Sequence, residues 1–188
     1  MVKAQKGGDA AGLLKGMKPG ARATPEQWNP PFCGDIDMRI AGDGTWFYCG
    51  SPIGRAPLVK LFAAVLRREG DKYFLVTPVE KVGIRVEDAA FMAIRLRVAG
   101  AGEDQSLTFE TNVDDAVTAG ADHPLRFAPS GEGLKPYVMV RAGLEALVTR
   151  SLYYELVQLG CVVDGWFGVW SSGRFFAMQR ASEIGLDG

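Results

Sequence analysis

Short runs in which polar and apolar residues alternate, each closed by a glycine turn, limit what this chain can fold into. In "DIDMRI", Asp35, Asp37 and Arg39 alternate with Ile36, Met38 and Ile40. Period two is the mark of a strand with one polar face and one face toward a core. "AGDG" follows as a turn and "TWFYC" as the returning strand, so 35–49 is predicted to be a β-hairpin. The same grammar recurs along the chain. "KYFLVT" and "KVGIRV" are strands broken at Pro78, and "FMAIRLRVAG" and "SLTFETNV" flank the turn "AGAGEDQ". "LRFA" and "YVMVR" flank "PSGEG", and "GWFGVW" and "RFFAMQ" flank "SSG".

Two segments carry a helical period instead. Leu58, Val59, Leu61, Phe62, Val65 and Leu66 fall at i, i+3, i+4, i+7 spacing, with Pro57 suited to a first turn and Gly70 to a stop, which predicts a helix over 57–69. Leu144, Leu147, Val148, Leu152, Leu156 and Leu159 predict a second over 144–159, ended by Gly160. Leu61, Phe62, Val65, Leu152 and Leu156 are the expected buried positions. Each half therefore reads hairpin, polar loop, amphipathic helix and aromatic strands. Internal duplication and the plain recurrence of helix-then-strand both satisfy that pattern. Without repeated βαβ units, the class is α+β with mainly antiparallel sheet.

The expected boundaries are a flexible N-terminal segment at 1–27, then half-domains at 28–86 and 87–188. The opening residues alternate Gly, Ala, Lys and Pro, with one short helix allowed at 10–17. Lys3, Lys6, Lys15 and Lys18 there read as a solvated tail. "KPGARATPEQWNPPFCG" is an extended connector, because each proline restricts itself and its predecessor. Trp28 is its one bulky anchor, expected to pack on a domain surface.

A net charge of −1 over 188 residues gives bulk electrostatics no reason to recruit nucleic acid or an anionic membrane. No apolar run approaches the ~20 residues of a membrane span. Cys33, Cys49 and Cys161 form no C-x-x-C pair and leave an odd count, which points to a reducing cytoplasm rather than a disulfide framework.

The chemical motifs are sparse. "AGDGTW" and "GAGEDQ" contain G-x-G, but they join strands rather than open a helix, so neither is a phosphate loop. One histidine and three scattered cysteines make no zinc set, and "VDDAVTAGAD" lacks the alternation of a calcium loop, so no metal or cofactor is expected. Asp114 and Asp115 look like acidic residues at the start of a helical turn. A hydrolase would use Asp115, His123 or Ser51, yet no G-x-S-x-G elbow is present, and His123 before Pro124 suits a structural hydrogen bond. Arginine outnumbers lysine thirteen to eight. Arg39, Arg55, Arg126 and Arg141 lie on strands or polar loops, where a guanidinium fork suits phosphate or carboxylate. Internal salt bridges to Asp35 and Asp37 explain the same arginines.

Four stretches in order, "GDIDMRIAGDGTWFYCGSPIGR", "LVTPVEKV", "TNVDDAVTAGADHPLRF" and "VRAGLEALVTRSLYYELV", resemble the bacterial family known as domain of unknown function 1285. The resemblance implies two duplicated half-domains, each a mainly antiparallel sheet with one principal helix, the C-terminal one pleckstrin-homology-like. It also implies a nucleotide-like ligand held between the halves and a role in signalling, without any catalytic residues to carry over. Combined with the residue chemistry, it makes Arg39, Trp46, Arg55, Asn112, His123 and Arg141 the candidate ligand-binding set. The anion needs forked donors, an amide and a flat apolar wall. "TNVDDAVTAGADHPLRF" is then either a hydrogen-bonded corner or a recognition loop. A small-ligand or signalling module is the favoured reading, with the hydrolase and a protein-interaction adaptor as alternatives.

Overall fold

Residue 12, residue 14 and residues 23–131 and 133–186 are described in the computed structural model of the protein. The helix expected over 10–17 and the lysine tail fall outside the described residues, apart from residues 12 and 14. At the end of the segment expected to be loose, Pro25–Gln27 forms a turn of 3-10 helix. Arg67 anchors it, donating from Nη1 to the carbonyls of Pro25 and Trp28 at 3.0 and 2.7 Å.

The chain divides into two compact units, 1–88 and 89–188. The first is built from two three-stranded antiparallel meanders. β1 (Phe32–Ile40), β2 (Trp46–Tyr48) and β3 (Ser51–Pro52) form one, and β4 (Leu66–Glu69), β5 (Lys72–Val76) and β6 (Lys81–Val86) form the other, with helix α1 (Ala56–Ala64) between them. β1 and β6 pair in parallel and join the meanders into one six-stranded sheet, order β3-β2-β1-β6-β5-β4.

The second unit repeats that sheet. β7 (Phe91–Ala99), β8 (Ser106–Thr111) and β9 (Ala116–Thr118) form a meander, as do β10 (Leu125–Ser130), β11 (Gly133–Arg141) and β12 (Leu144–Val148). β7 and β12 pair in parallel, giving the order β10-β11-β12-β7-β8-β9. The fold is thus two duplicated halves, each with a mixed sheet and one helix. The helices interrupt the common sheet at different points. α1 lies between the meanders, whereas α2 (Arg150–Gln158) follows the second one and leads into a further meander of β13 (Cys161–Val163), β14 (Trp166–Ser171) and β15 (Arg174–Arg180). The local order of helix then three strands does recur, and β15 lies against β10.

Both predicted helices were drawn too long. α1 stops at Ala64, because the following residues serve better as a strand: Leu66 through Glu69 pair with Leu75 through Lys72. Gly70, at φ 60°, turns that hairpin rather than stopping a helix. Leu144–Val148 is β12, with Leu144, Ala146 and Val148 buried. Leu144, Leu147 and Val148 fit a helical stripe by spacing alone, and sheet pairing overrides it. Phe62, Val65, Leu152 and Leu156 are buried as expected, while Leu61 is only half-buried. Trp46 is 1% exposed and stacks on Phe62, ring centroids 6.0 Å apart, so the sheet face of the first unit closes on α1 through an aromatic pair.

Candidate functional site

The two sheets share a topology but differ at the parallel junction that builds each of them. In the C-terminal sheet, Phe91, Met92 and Ala93 meet Ala146, Leu147 and Val148 without interruption. In the N-terminal sheet, Phe32 pairs with Lys81 and Ile40 with Val86, with register shifts on both sides of the Asp35–Gly83 pair. β1 therefore advances eight residues while β6 advances five, and three residues of β1 have no counterpart. Bulges of this kind bend a strand and re-aim its side chains, and they are frequent beside functional sites.

Two glycines make the distortion feasible. Gly34 takes φ 102°, a conformation closed to most L-residues. Gly83, opposite Asp35, leaves open the place where a β-carbon would stand, and Oδ1 of Asp35 occupies it. Asp35 and Asp37 face outward while Met38 and Ile40 face the core, as the alternation of "DIDMRI" requires.

The distorted junction lines a groove of about 710 Å³. Phe32 and Phe74 give it an apolar end, their rings edge-on at 6.0 Å. Nζ of Lys81 sits 4.7 Å from the Phe74 ring centroid and donates to both Glu69 oxygens, at 3.1 and 3.3 Å. Glu69 also accepts from Arg67. Burial pushes the Glu69 carboxyl up, but Lys81 and Arg67 outweigh it and hold the group below its ordinary range. Asp35, Asp37 and Asp71 contribute acid, and Lys72 and Arg85 contribute cationic charge. Arg85 is exposed and pairs with no carboxylate among the described residues, and it stands in register with Arg39. The arrangement offers aromatic surface, carboxylates and a guanidinium within one cleft.

The six residues singled out from sequence divide between the units. In the first, Arg39 is held by Glu87 at 2.7 Å and packs 4.0 Å from the Phe47 ring centroid. Its partner is Glu87, so the salt bridges expected to Asp35 and Asp37 are not formed. Trp46 lies in the core, and Arg55 is exposed at the N-cap of α1. In the second, Asn112 closes the β7–β8 pair, its Oδ1 accepting from the Met92 N–H at 3.0 Å and its own N–H donating to the Met92 carbonyl at 2.9 Å. His123 Nδ1 lies 3.0 Å from the Met139 carbonyl oxygen. Arg141 lies 3.8 Å from Asp115 and 5.3 Å from the Phe91 centroid.

Residues 111–115 form a hydrogen-bonded corner. Buried Thr111 accepts from the N–H groups of Val113 and Asp115 through its hydroxyl, at 3.3 and 3.1 Å. Asp114 is left-handed at φ 69°, so "VDDA" is a hairpin turn rather than the start of a helical one. Of the hydrolase residues, Ser51 lies on β3 of the first unit, and His123 and Asp115 belong to the second. Among the described residues no group of three or more His, Cys, Asp or Glu could hold a metal, and no helix is long and apolar enough to cross a membrane. The groove itself was missed in the sequence, although "CGD" at 33–35 and "VGI" at 82–84 carry the two glycines that shape it.

Comparison with known proteins identifies the chain. Residues 24–89 match the domain of unknown function DUF1285, N-terminal domain, and residues 90–178 match its C-terminal domain. The chain belongs to the DUF1285 family. A DUF1285 protein from Silicibacter pomeroyi DSS-3, solved by crystallography, is 51% identical, covers 96% of this chain and 100% of its own, and has a TM-score of 0.90. A second DUF1285 crystal structure, from Shewanella baltica OS155, is 28% identical over 65% of this chain and 91% of its own, with a TM-score of 0.53. No curated protein matches the chain.

Proposed function

We propose that this DUF1285 protein is a non-enzymatic small-ligand-binding module, and that the N-terminal groove takes a nucleotide-like ligand. The observation that carries the reading is the bulged β1–β6 junction beside a regular β7–β12 junction of the same topology. A duplicated scaffold has no structural need for three extra residues in one copy, whereas a cleft that exposes side chains on both flanking strands does. The chemistry fits a nucleotide in its parts. Arg85, with Arg39 beside it, suits a phosphate. Asp35 and Asp37 suit ribose hydroxyls or an exocyclic amine, and Phe32 and Tyr73 offer aromatic faces. Trp46, Arg55, Asn112, His123 and Arg141 belong to the framework in this reading. The three free, exposed cysteines suit a reducing cytoplasm, and a reversible binder of this kind suits signalling.

Calorimetric titration with adenosine and guanosine monophosphates tests the proposal. Bonds to a charged group contribute about 1.5–3 kcal/mol, so Arg85→Ala should weaken binding about ten- to a hundredfold. Asp35→Asn should alter the preference between the two nucleotides. Equal affinity in the parent and both variants, or no binding at all, would contradict it.

A further inference from the structure

Lys72 and Arg85 line the N-terminal groove from neighbouring strands, and both are exposed. β5 and β6 pair with Tyr73 opposite Ile84, so the next step along the ladder sets Lys72 opposite Arg85. Neighbouring strands lie about 4.7–4.9 Å apart, and like charges directly opposite each other weaken the pairing. A carboxylate between them would relieve that repulsion.

The carboxylates at hand are engaged elsewhere or stand apart. Glu69 is opposite Lys72 on β4, but it accepts from Lys81 at 3.1 and 3.3 Å and from Arg67. Asp71 lies 3.8 Å from Arg68. Glu87 takes Arg39 at 2.7 Å and the Gly42 N–H at 3.1 Å. Asp35 and Asp37 lie on β1, across β6 from Lys72, and neither forms an ion pair among the described residues. Among the described residues, Lys72 and Arg85 have no carboxylate partner either.

Resting on the nucleotide reading of this groove, we infer that Arg85 and Lys72 bind the diphosphate group of a nucleoside diphosphate, taken in preference to a monophosphate. With Arg39 held by Glu87, the Arg85 fork is the guanidinium that meets one phosphate. Lys72, a point charge one strand further out, meets the other. Two phosphates sharing a bridging oxygen span a single strand spacing. A monophosphate on Arg85 would leave Lys72 without a counter-charge. The nucleoside then extends toward Phe32 and Asp35, on the β1 side of β6.

Calorimetric titration of the full chain, in magnesium-free buffer, compares adenosine and guanosine diphosphates with their monophosphates and with inorganic pyrophosphate. The diphosphate of the nucleoside that binds should bind about tenfold tighter than its monophosphate, through one added charge-assisted contact. Pyrophosphate, which leaves the aromatic end unused, should bind more weakly than that diphosphate. Lys72→Gln should bring the ratio of diphosphate to monophosphate affinity down to about one, and Lys72→Arg should keep it. The unfolding midpoint of Lys72→Gln should not fall, because one of two facing like charges is removed. A parent that binds monophosphate as tightly as diphosphate would overturn the diphosphate site and leave the nucleotide reading standing. A ratio that survives Lys72→Gln would do the same. Pyrophosphate binding as tightly as the nucleoside diphosphate would also overturn the inference. Binding of none of these ligands would overturn both.

Discussion

Oδ1 of Asp35 occupies the space over Gly83 that any other residue would fill with its β-carbon. The two residues are paired across the parallel contact between β1 and β6, at the point where the strands leave register. A missing side chain on one strand thus decides where a carboxylate on the next can rest, and that carboxylate borders the groove.

Gly83→Ala should accordingly move Asp35 more than it moves the backbone. The displaced atom is the free end of a side chain at an exposed position, so the stability change should stay within about 1 kcal/mol. Nucleotide binding should fall, and the double variant Gly83→Ala, Asp35→Ala should regain the parent's unfolding midpoint. A loss of several kcal/mol by denaturant unfolding would mean that the pair holds the sheet rather than the groove.

Ser171 is fully buried and links two sheets, accepting from the Leu107 N–H at 2.9 Å and donating to the Ala119 carbonyl at 2.8 Å. Ser171→Ala leaves both groups unpaired away from water and should cost about 1–3 kcal/mol. Chemical denaturation reads this directly. An unchanged midpoint would show that neither bond is made in solution.

Leu156→Ala should cost about 2–5 kcal/mol, since Leu156 is 0% exposed beneath α2 and the packing around it can close only partly. Half-buried Leu61→Ala should cost clearly less. Equal losses for the two would contradict the described helix faces.

Glu69 sets a pH dependence. Its carboxyl lies below the ordinary value of 4.5 in the folded protein, because Lys81 and Arg67 outweigh the opposing effect of burial. A depressed acid contributes stability above its unfolded pKa and loses it as pH falls through the folded one. The stability advantage of the parent over Glu69→Gln should therefore be full at neutral pH and shrink below about pH 4.5. A difference that stays constant down to strongly acidic pH would show that the Lys81–Glu69–Arg67 cluster is not formed.

Strand periodicity was legible in the sequence because burial on one face imposes it residue by residue, as in "DIDMRI" and "SLTFET". The limits of the helices were not. "VLRRE" and "LEALV" fit both periods, and only pairing with β5, β7 and β11 selects the strand. Arg39, Arg55 and Arg141 were chosen from chemistry alone, and sequence could not tell that Glu87 and Asp115 stand beside two of them. The groove depends on register, which arises from contacts between residues about fifty apart along the chain. The seclusion of Trp46 against Phe62 was hidden because it depends on how α1 packs on the sheet.

The most direct test of the account is a residue-resolved NMR titration of the whole chain with adenosine monophosphate. Binding at the bulged junction should shift the backbone signals of Asp35 to Met38 and Gly83 to Val86 together, along one saturable curve, and Arg85→Ala should move that curve to higher concentration. Silence at both segments at saturating nucleotide, or shifts confined to other parts of the chain, would contradict the claim that the distorted sheet is a ligand site.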